Sequence, residues 1–274
     1  MAARTRQPGG GQRSVGVAAA QRPVGGAGPP APEAGACYAV VLLGSPEVLR
    51  DGRRVTTAPG PERLVAYLGC RGAAGREEIA ESLWPELPEG RARANLRSAL
   101  WRLQRACPEL LAAGARGLRL GESVVLDLAR ASALARRLLD EAVAPGELPV
   151  PDTADGLLLT LDVLPEWSED WAVIERERYR QLRLHALERL ALAHVLRGRH
   201  AAAIETAGIA VQAEPLRESG YRVLVRAHQS EGNHVEARRA YERCRAVLRA
   251  ELGLAPTPEM ERLAAASLGA TAAR

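Results

Sequence analysis

Gly90-Arg91-Ala92-Arg93-Ala94-Asn95-Leu96-Arg97-Ser98-Ala99-Leu100-Trp101-Arg102-Leu103-Gln104-Arg105-Ala106-Cys107 is the stretch that decides the fold. Wound as a helix at about 100° per residue, it places Ala92, Leu96, Ala99, Leu100, Leu103 and Cys107 on one apolar face. Pro108 ends it. The opposite face carries Arg91, Ala94, Asn95, Ser98, Trp101, Arg102 and Arg105. Arg97 sits on the flank, and Arg93 falls toward the apolar side, where a salt bridge competes with a ligand contact. Residues 90–106 hold five Arg and no acid. That chemistry suits a DNA major groove. Arg reads guanine bidentately, Asn reads adenine, Ser reaches a base or phosphate, and Trp offers apolar area to sugars or thymine methyls. The plainer alternative is a solvated Arg face with Trp101 packed on a neighbouring hairpin.

The flanking sequence supports the groove reading. Upstream, residues 76–84 show the helical pattern Ile79, Ala80, Leu83 and stop at Pro85 and Pro88. Residues 62–70 show Leu64, Val65 and Leu68, with Pro61 in the first turn. Before any helix come three short strands. They are the apolar run 38–43, then 47–50, then 53–55 after the hairpin signal Asp51-Gly52. Downstream, residues 117–120, a Gly121-Glu122 turn and residues 124–128 read as a terminal β-hairpin. Strands, three helices with a basic third, and a hairpin spell a winged helix-turn-helix of the response-regulator output type with a small N-terminal sheet. Arg116 and Arg119 on the wing suit phosphates or a minor groove, with a solvated hairpin as the alternative.

Farther along, a shift of 34 residues aligns Leu190 with Leu224, Ala193 with Ala227, His194 with His228, Gly198 with Gly232, His200 with His234 and Ala203 with Ala237. That is the tetratricopeptide period, so the second half is an all-α domain of paired helices. Two repeats leave open ends, and helices around residues 174–184 and 259–268 are expected to cap them. The last repeat helix should end at Gly253, a left-handed cap ahead of Pro256 and Pro258. The expected organisation is a Gly/Pro/Arg tail at 1–36, read as unstructured, and a winged-helix domain at 37–128. A connecting segment at 129–166 follows, helical over 132–143, and then the helical domain at 167–274.

Composition removes several function classes. All 37 basic residues are Arg, so there is no phosphate-loop lysine, Schiff-base lysine or kinase lysine. Aromatic residues make up 3% with no Phe, which leaves Leu, Ala and Val to fill the core. No run of about 18 apolar residues and no signal-peptide pattern occurs. Cys37, Cys70, Cys107 and Cys244 are too far apart for a zinc or C-x-x-C motif, so free thiols in the cytoplasm are expected. Charge is uneven. Residues 1–36 carry four Arg against one Glu (+3), residues 37–127 carry 13 Arg against 11 acids (+2), and residues 128–274 carry 20 Arg against 21 acids (−1). Catalytic candidates are weak. Glu166, Glu169 and Asp170 beside Trp167 and Trp171 read best as a helix N-terminus, and Glu175-Arg176-Glu177-Arg178 as a solvated ion-pair face. His194, His200, His228 and His234 are explained by the repeat. No cofactor, metal or enzymatic activity is expected.

Longer stretches carry a family resemblance. In the first domain these are Val41-Leu42-Leu43-Gly44, Asp51-Gly52-Arg53, Ala80-Glu81-Ser82-Leu83-Trp84-Pro85 and Leu100-Trp101-Arg102-Leu103-Gln104-Arg105. In the second they include Trp171, Glu175 to Arg178, Gln181 to Glu188, Pro215-Leu216-Arg217-Glu218-Ser219, Arg226-Ala227-His228 and Glu251-Leu252-Gly253-Leu254-Ala255-Pro256. Over about residues 38–262 the chain resembles the SARP regulators (Streptomyces antibiotic regulatory proteins), which join a winged helix to a bacterial transcriptional activation domain. The resemblance implies a promoter-binding activator of a biosynthetic or secondary-metabolism gene cluster. It implies double-stranded promoter DNA with direct repeats, RNA polymerase and its sigma factor as partners, and a homodimer as a further expectation, with no membrane partner. By motif position Arg93, Asn95, Arg97, Ser98, Trp101, Arg102 and Arg105 fall on the reading helix, beside Arg91. The rival reading is a helical adaptor whose winged fold binds only protein.

Overall fold

A computed structural model describes residues 38–151 and 153–272; the tail expected at 1–36 lies outside them, as does Cys37. Strands β1 (Tyr38–Val41), β2 (Glu47–Arg50) and β3 (Arg53–Val55) form an antiparallel meander. Asp51 and Gly52 turn it with φ of 49° and 76°, the two positive values a tight hairpin needs. Helices α1 (Pro59–Arg71), α2 (Arg76–Leu83) and α3 (Glu89–Ala106) follow, close to where the periodicity places them. Leu64, Leu68, Ile79, Leu83, Leu96 and Leu103 are buried together against the sheet. Each such side chain contributes roughly 1.5–3 kcal/mol on leaving water.

The hairpin is the main correction. The wing pairs β4 (Leu111–Gly114) with β5 (Gly117–Leu120), one strand earlier than the sequence suggests. The run expected to complete it, β6 (Val124–Leu126), leaves the wing and pairs parallel to β1, giving the sheet order β3-β2-β1-β6. Leu111-Ala112-Ala113-Gly114 has no β-branched residue, so nothing local marks it as a strand. Val124 and Val125 do have strand propensity, and the open edge of β1 takes them.

The segment expected to connect the domains is instead packed into the helical body. Its helix, α4, spans Asp127–Leu138, starting five residues before the expected 132. A 3-10 turn at Pro145–Glu147 and α5 (Thr153–Leu158) come next. Leu134, Ala135, Leu138 and Leu159 share a cluster with Leu184, Leu187 and Leu190. Residues 162–164 run beside the end of β1, where the Gly44 N–H donates to the Asp162 carbonyl (2.8 Å) and the Leu164 N–H to the Leu42 carbonyl (3.0 Å).

The repeat is present. Helix α6 (Asp170–Leu196) pairs with α7 (His200–Ala213), and α8 (Glu218–Ser230) with α9 (His234–Leu252). Gly198 and Gly232 turn each pair with φ of 67° and 83°, and Ala203 and Ala237 are buried where the helices meet. Gly253 is the left-handed cap of α9. Helix α10 (Pro258–Ala272) closes one end through buried Met260. At the other end residues 174–184 are not a helix of their own but the first half of the 27-residue α6, against which α4 packs.

Asp127 joins the two parts. Its buried carboxylate accepts the N–H of Leu42 (2.9 Å) and of Leu43 (2.9 Å) beyond β1, and of Leu128 (2.6 Å) in α4. Burial raises its pKa, and the backbone N–H groups oppose that rise. In Asp127→Asn an amide NH2 must face one of these donors. An equilibrium urea melt should show a loss of about 1–3 kcal/mol; an unchanged midpoint would remove Asp127 from the joint.

His194 and His228, equivalent in the repeat, are both buried. Desolvation holds both imidazoles below their ordinary value, with Arg199 and Arg197 adding to the effect at His194. The unfolded chain therefore takes up their protons first as pH drops. The stability they contribute is present above about pH 6.5 and is lost on acidification through the folded values. The thermal midpoint should fall between about pH 7.5 and 5.5, and fall less in the double variant His194→Gln/His228→Gln.

Candidate nucleic-acid interface

Helix α3 is held by its apolar face. Ala92, Leu96, Ala99, Leu103 and the capping Cys107 are buried, and Leu100 is half-buried. The alanines allow close approach and the leucines fill the space toward α1 and α2. The other face is open. Arg91, Asn95, Arg97, Ser98, Trp101, Arg102 and Arg105 are all exposed, and Ala94 is half-buried among them. Trp101 is 60% exposed, unusual for the largest side chain, and the Arg105 guanidinium stacks 5.0 Å from its ring centroid. That contact pre-orders a flexible cation on a rigid plate.

No carboxylate is paired with Arg91, Arg97, Arg102 or Arg105 among the described residues. Arg93 is different. Its guanidinium is engaged by Glu77 of α2 (2.7 Å) and by Glu89 one turn earlier on α3. It ties the two helices together rather than presenting a free cation, the salt-bridge alternative that its place toward the apolar side left open.

The wing docks through backbone. Leu118 of β5 and Ala74 in the α1–α2 turn exchange two hydrogen bonds of 2.9 and 3.0 Å. Arg116 is exposed at the hairpin tip, and Arg119 half-buried on β5. Arg119 is engaged, donating to Glu122 (2.7 Å) and to the Leu120 carbonyl (3.4 Å). The structure thus brings Arg91, Asn95, Ser98, Arg102 and Arg105 into one row with Trp101 beside it, adds Arg116 on the wing, and holds Arg93 and Arg119 in ion pairs.

The carboxylate candidates have other work. Glu169 caps α6 by position and pairs with Arg63 of α1 (3.1 Å). Glu175 to Arg178 is a solvated ion-pair face only in part: Glu177 and Arg178 are exposed, and Glu175 and Arg176 turn inward. Glu175 is buried and receives Arg71 of α1 at 3.0 Å. Arg176 donates to the carbonyls of Val163 (2.9 Å), Leu164 and Trp167 (2.6 Å). Beside them the Tyr67 and Trp171 rings meet edge to face, centroids 5.3 Å apart. The orientation of α3 relative to the helical body is set by these contacts. Sequence alone shows no sign of the contacts between the two parts, because the partners in Arg63–Glu169, Arg71–Glu175 and Tyr67–Trp171 lie about a hundred residues apart.

Residues 126–268 match the family described as bacterial transcriptional activator domain. The chain is 32% identical over 238 residues to the regulatory protein AfsR of Streptomyces coelicolor, a match covering 81% of this chain and 23% of that protein. Its fold is similar to that of Mycobacterium tuberculosis EmbR, solved in complex with a low-affinity phosphopeptide, with a TM-score of 0.67 and 23% identity over 85% of this chain and 65% of that one. The chain therefore spans less than two thirds of either relative. Among the described residues no helix is long and apolar enough to cross a membrane.

Gly117 tests the wing without touching an Arg. Its φ is +114°, and a Cβ there would lie 2.1 Å from the Ala74 carbonyl oxygen. Gly117→Ala should cost about 1–3 kcal/mol and lift the hairpin. Hydrogen exchange should show faster loss of the Leu118 amide while α3 amides stay protected.

Proposed function

Because the chain belongs to the bacterial transcriptional activator domain family, to which its likeness to the SARP regulators points, we propose that it is a sequence-specific, promoter-binding activator rather than an enzyme. The observation that carries this reading is the row of cations and amide on α3 that no carboxylate among the described residues neutralises. An Arg face without internal partners is matched by phosphates and guanine edges. Helix α3 enters the major groove, with Arg102 and Asn95 at the centre of the row reading base edges. Trp101 and Arg105 cover the adjoining sugars or thymine methyls. Arg91, Ser98 and Arg97 bound the same surface. Arg116 reaches a phosphate or the minor groove from the wing, while Arg93 and Arg119 contribute only by giving up their glutamates.

We assign promoter reading to the winged helix at 37–128 and partner contact to the helical body. The partners are RNA polymerase, through its sigma factor, and a second copy of the chain on a direct repeat. The place of action is the cytoplasm, and the genes are those of a biosynthetic or secondary-metabolism cluster, as the family resemblance implies.

Selection of genomic fragments on the purified protein at about 150 mM salt, where nonspecific phosphate binding is already weakened, should enrich promoters sharing a short direct repeat. No enrichment over input would overturn the reading in favour of a protein-binding adaptor. At an enriched site Arg102→Ala and Asn95→Ala should each cost about 1–3 kcal/mol and relax preference at single positions. Arg116→Ala should weaken all sequences alike and reduce the salt slope by about one. Arg93→Ala should leave sequence preference unchanged.

A further inference from the structure

Between the winged helix and the helical body lies a cleft of about 670 Å³. It has three walls: the C-terminal end of α1 with Arg71 and Gly72, one face of α4 with Ser132, Arg136 and Leu139, and one face of α6 with Arg178, Leu182 and His185. The spacing on α4 and α6 is that of a single helical stripe, so these side chains converge on one space. Leu126, Leu128 and Tyr179 line its inner part. The volume is within the range of about 300–1,000 Å³ that small-molecule sites occupy, and such sites favour domain interfaces.

The charges in it are unbalanced. Three Arg face one carboxylate, Glu175. Arg71 is held by Glu175 at 3.0 Å, which leaves Arg178 only a contact of 3.7 Å with the other carboxylate oxygen. Arg136 is exposed and has no ion pair among the described residues. His185 lies 3.0 Å from the Arg217 guanidinium through Nδ1. The surplus is close to two positive charges above an apolar interior. We propose that this cleft binds a small amphipathic anion, an apolar body bearing one carboxylate or phosphate, with the headgroup between Arg136 and Arg178 and the body against Leu126, Leu128 and Tyr179. Such a ligand touches both domains and links its own binding to their mutual orientation.

Anilinonaphthalenesulfonate, an apolar body whose single sulfonate stands in for the anionic headgroup, serves as the probe on the full chain. It should bind saturably at one site. The double variant Arg136→Ser/Arg178→Ser should weaken it at least about tenfold, and Ser132→Trp, which fills the cleft, should abolish it. Arg137→Ser, a neighbouring exposed cation outside the cleft, should leave it unchanged. Circular dichroism on each variant separates these effects from misfolding. Displacement by naphthoate identifies a carboxylate headgroup, and stronger displacement by naphthyl phosphate a phosphate one. Absence of saturable binding up to about 1 mM, or equal binding by wild type, Ser132→Trp and the Arg double variant, overturns the proposal. None of these readouts uses DNA, so the outcome stands apart from the promoter-binding reading.

Discussion

The carboxylate of Asp127 is the hinge pin of this molecule. It is buried, it terminates β6, and it begins α4. By accepting the backbone N–H groups of Leu42 and Leu43 it fastens the end of β1 to the start of the helical body. A buried carboxylate pays a desolvation cost, and several backbone donors offset it only where the backbone is already correctly placed. The interaction therefore depends on the sheet, the parallel pairing of β6 with β1 and the first turn of α4 all at once, and each of those depends on it.

Around that joint the two parts share a core rather than touching at a surface. Trp171, Ala172 and Tyr179 of α6 and Leu158, Val163 and Leu164 before it belong to the same apolar cluster as Tyr67, Leu68 and Leu96 of the winged helix. The edge-to-face meeting of Tyr67 and Trp171 contributes about 0.5–1.5 kcal/mol beyond burial. The buried Glu175 is compensated by Arg71 across the boundary, so separation of the domains would strand a charge. The α3 face and the helical body are thus joined through one continuous core.

Arginine serves two opposite ends here. In the helical body it closes the structure: Arg176 and Arg183 collect loop carbonyls and Arg217 gathers Glu188 and Ser219. On α3 it is left open. With no Lys in the chain, residue type cannot separate these uses. What separates them is whether a carboxylate or a carbonyl lies within reach.

What is local and periodic can be read from the residues alone. The helical stripe of residues 90–107, the Asp51-Gly52 hairpin, the 34-residue repeat with Gly198 and Gly232 at its turns and the Gly253 cap were all legible, because period and turn chemistry act over a few residues. The composition of the α3 face was legible for the same reason. Which strands form the wing is fixed by long-range packing, since Leu111-Ala112-Ala113-Gly114 has no propensity of its own and β6 follows the open edge of β1. Packing alone engaged Arg93 with Glu77, turned Glu175 and Arg176 from an apparent solvated face into a joint, and drew residues 129–166 into the body. Each of those outcomes depends on partners distant in sequence, whose proximity is set by burial of a common core and not by any neighbouring residue.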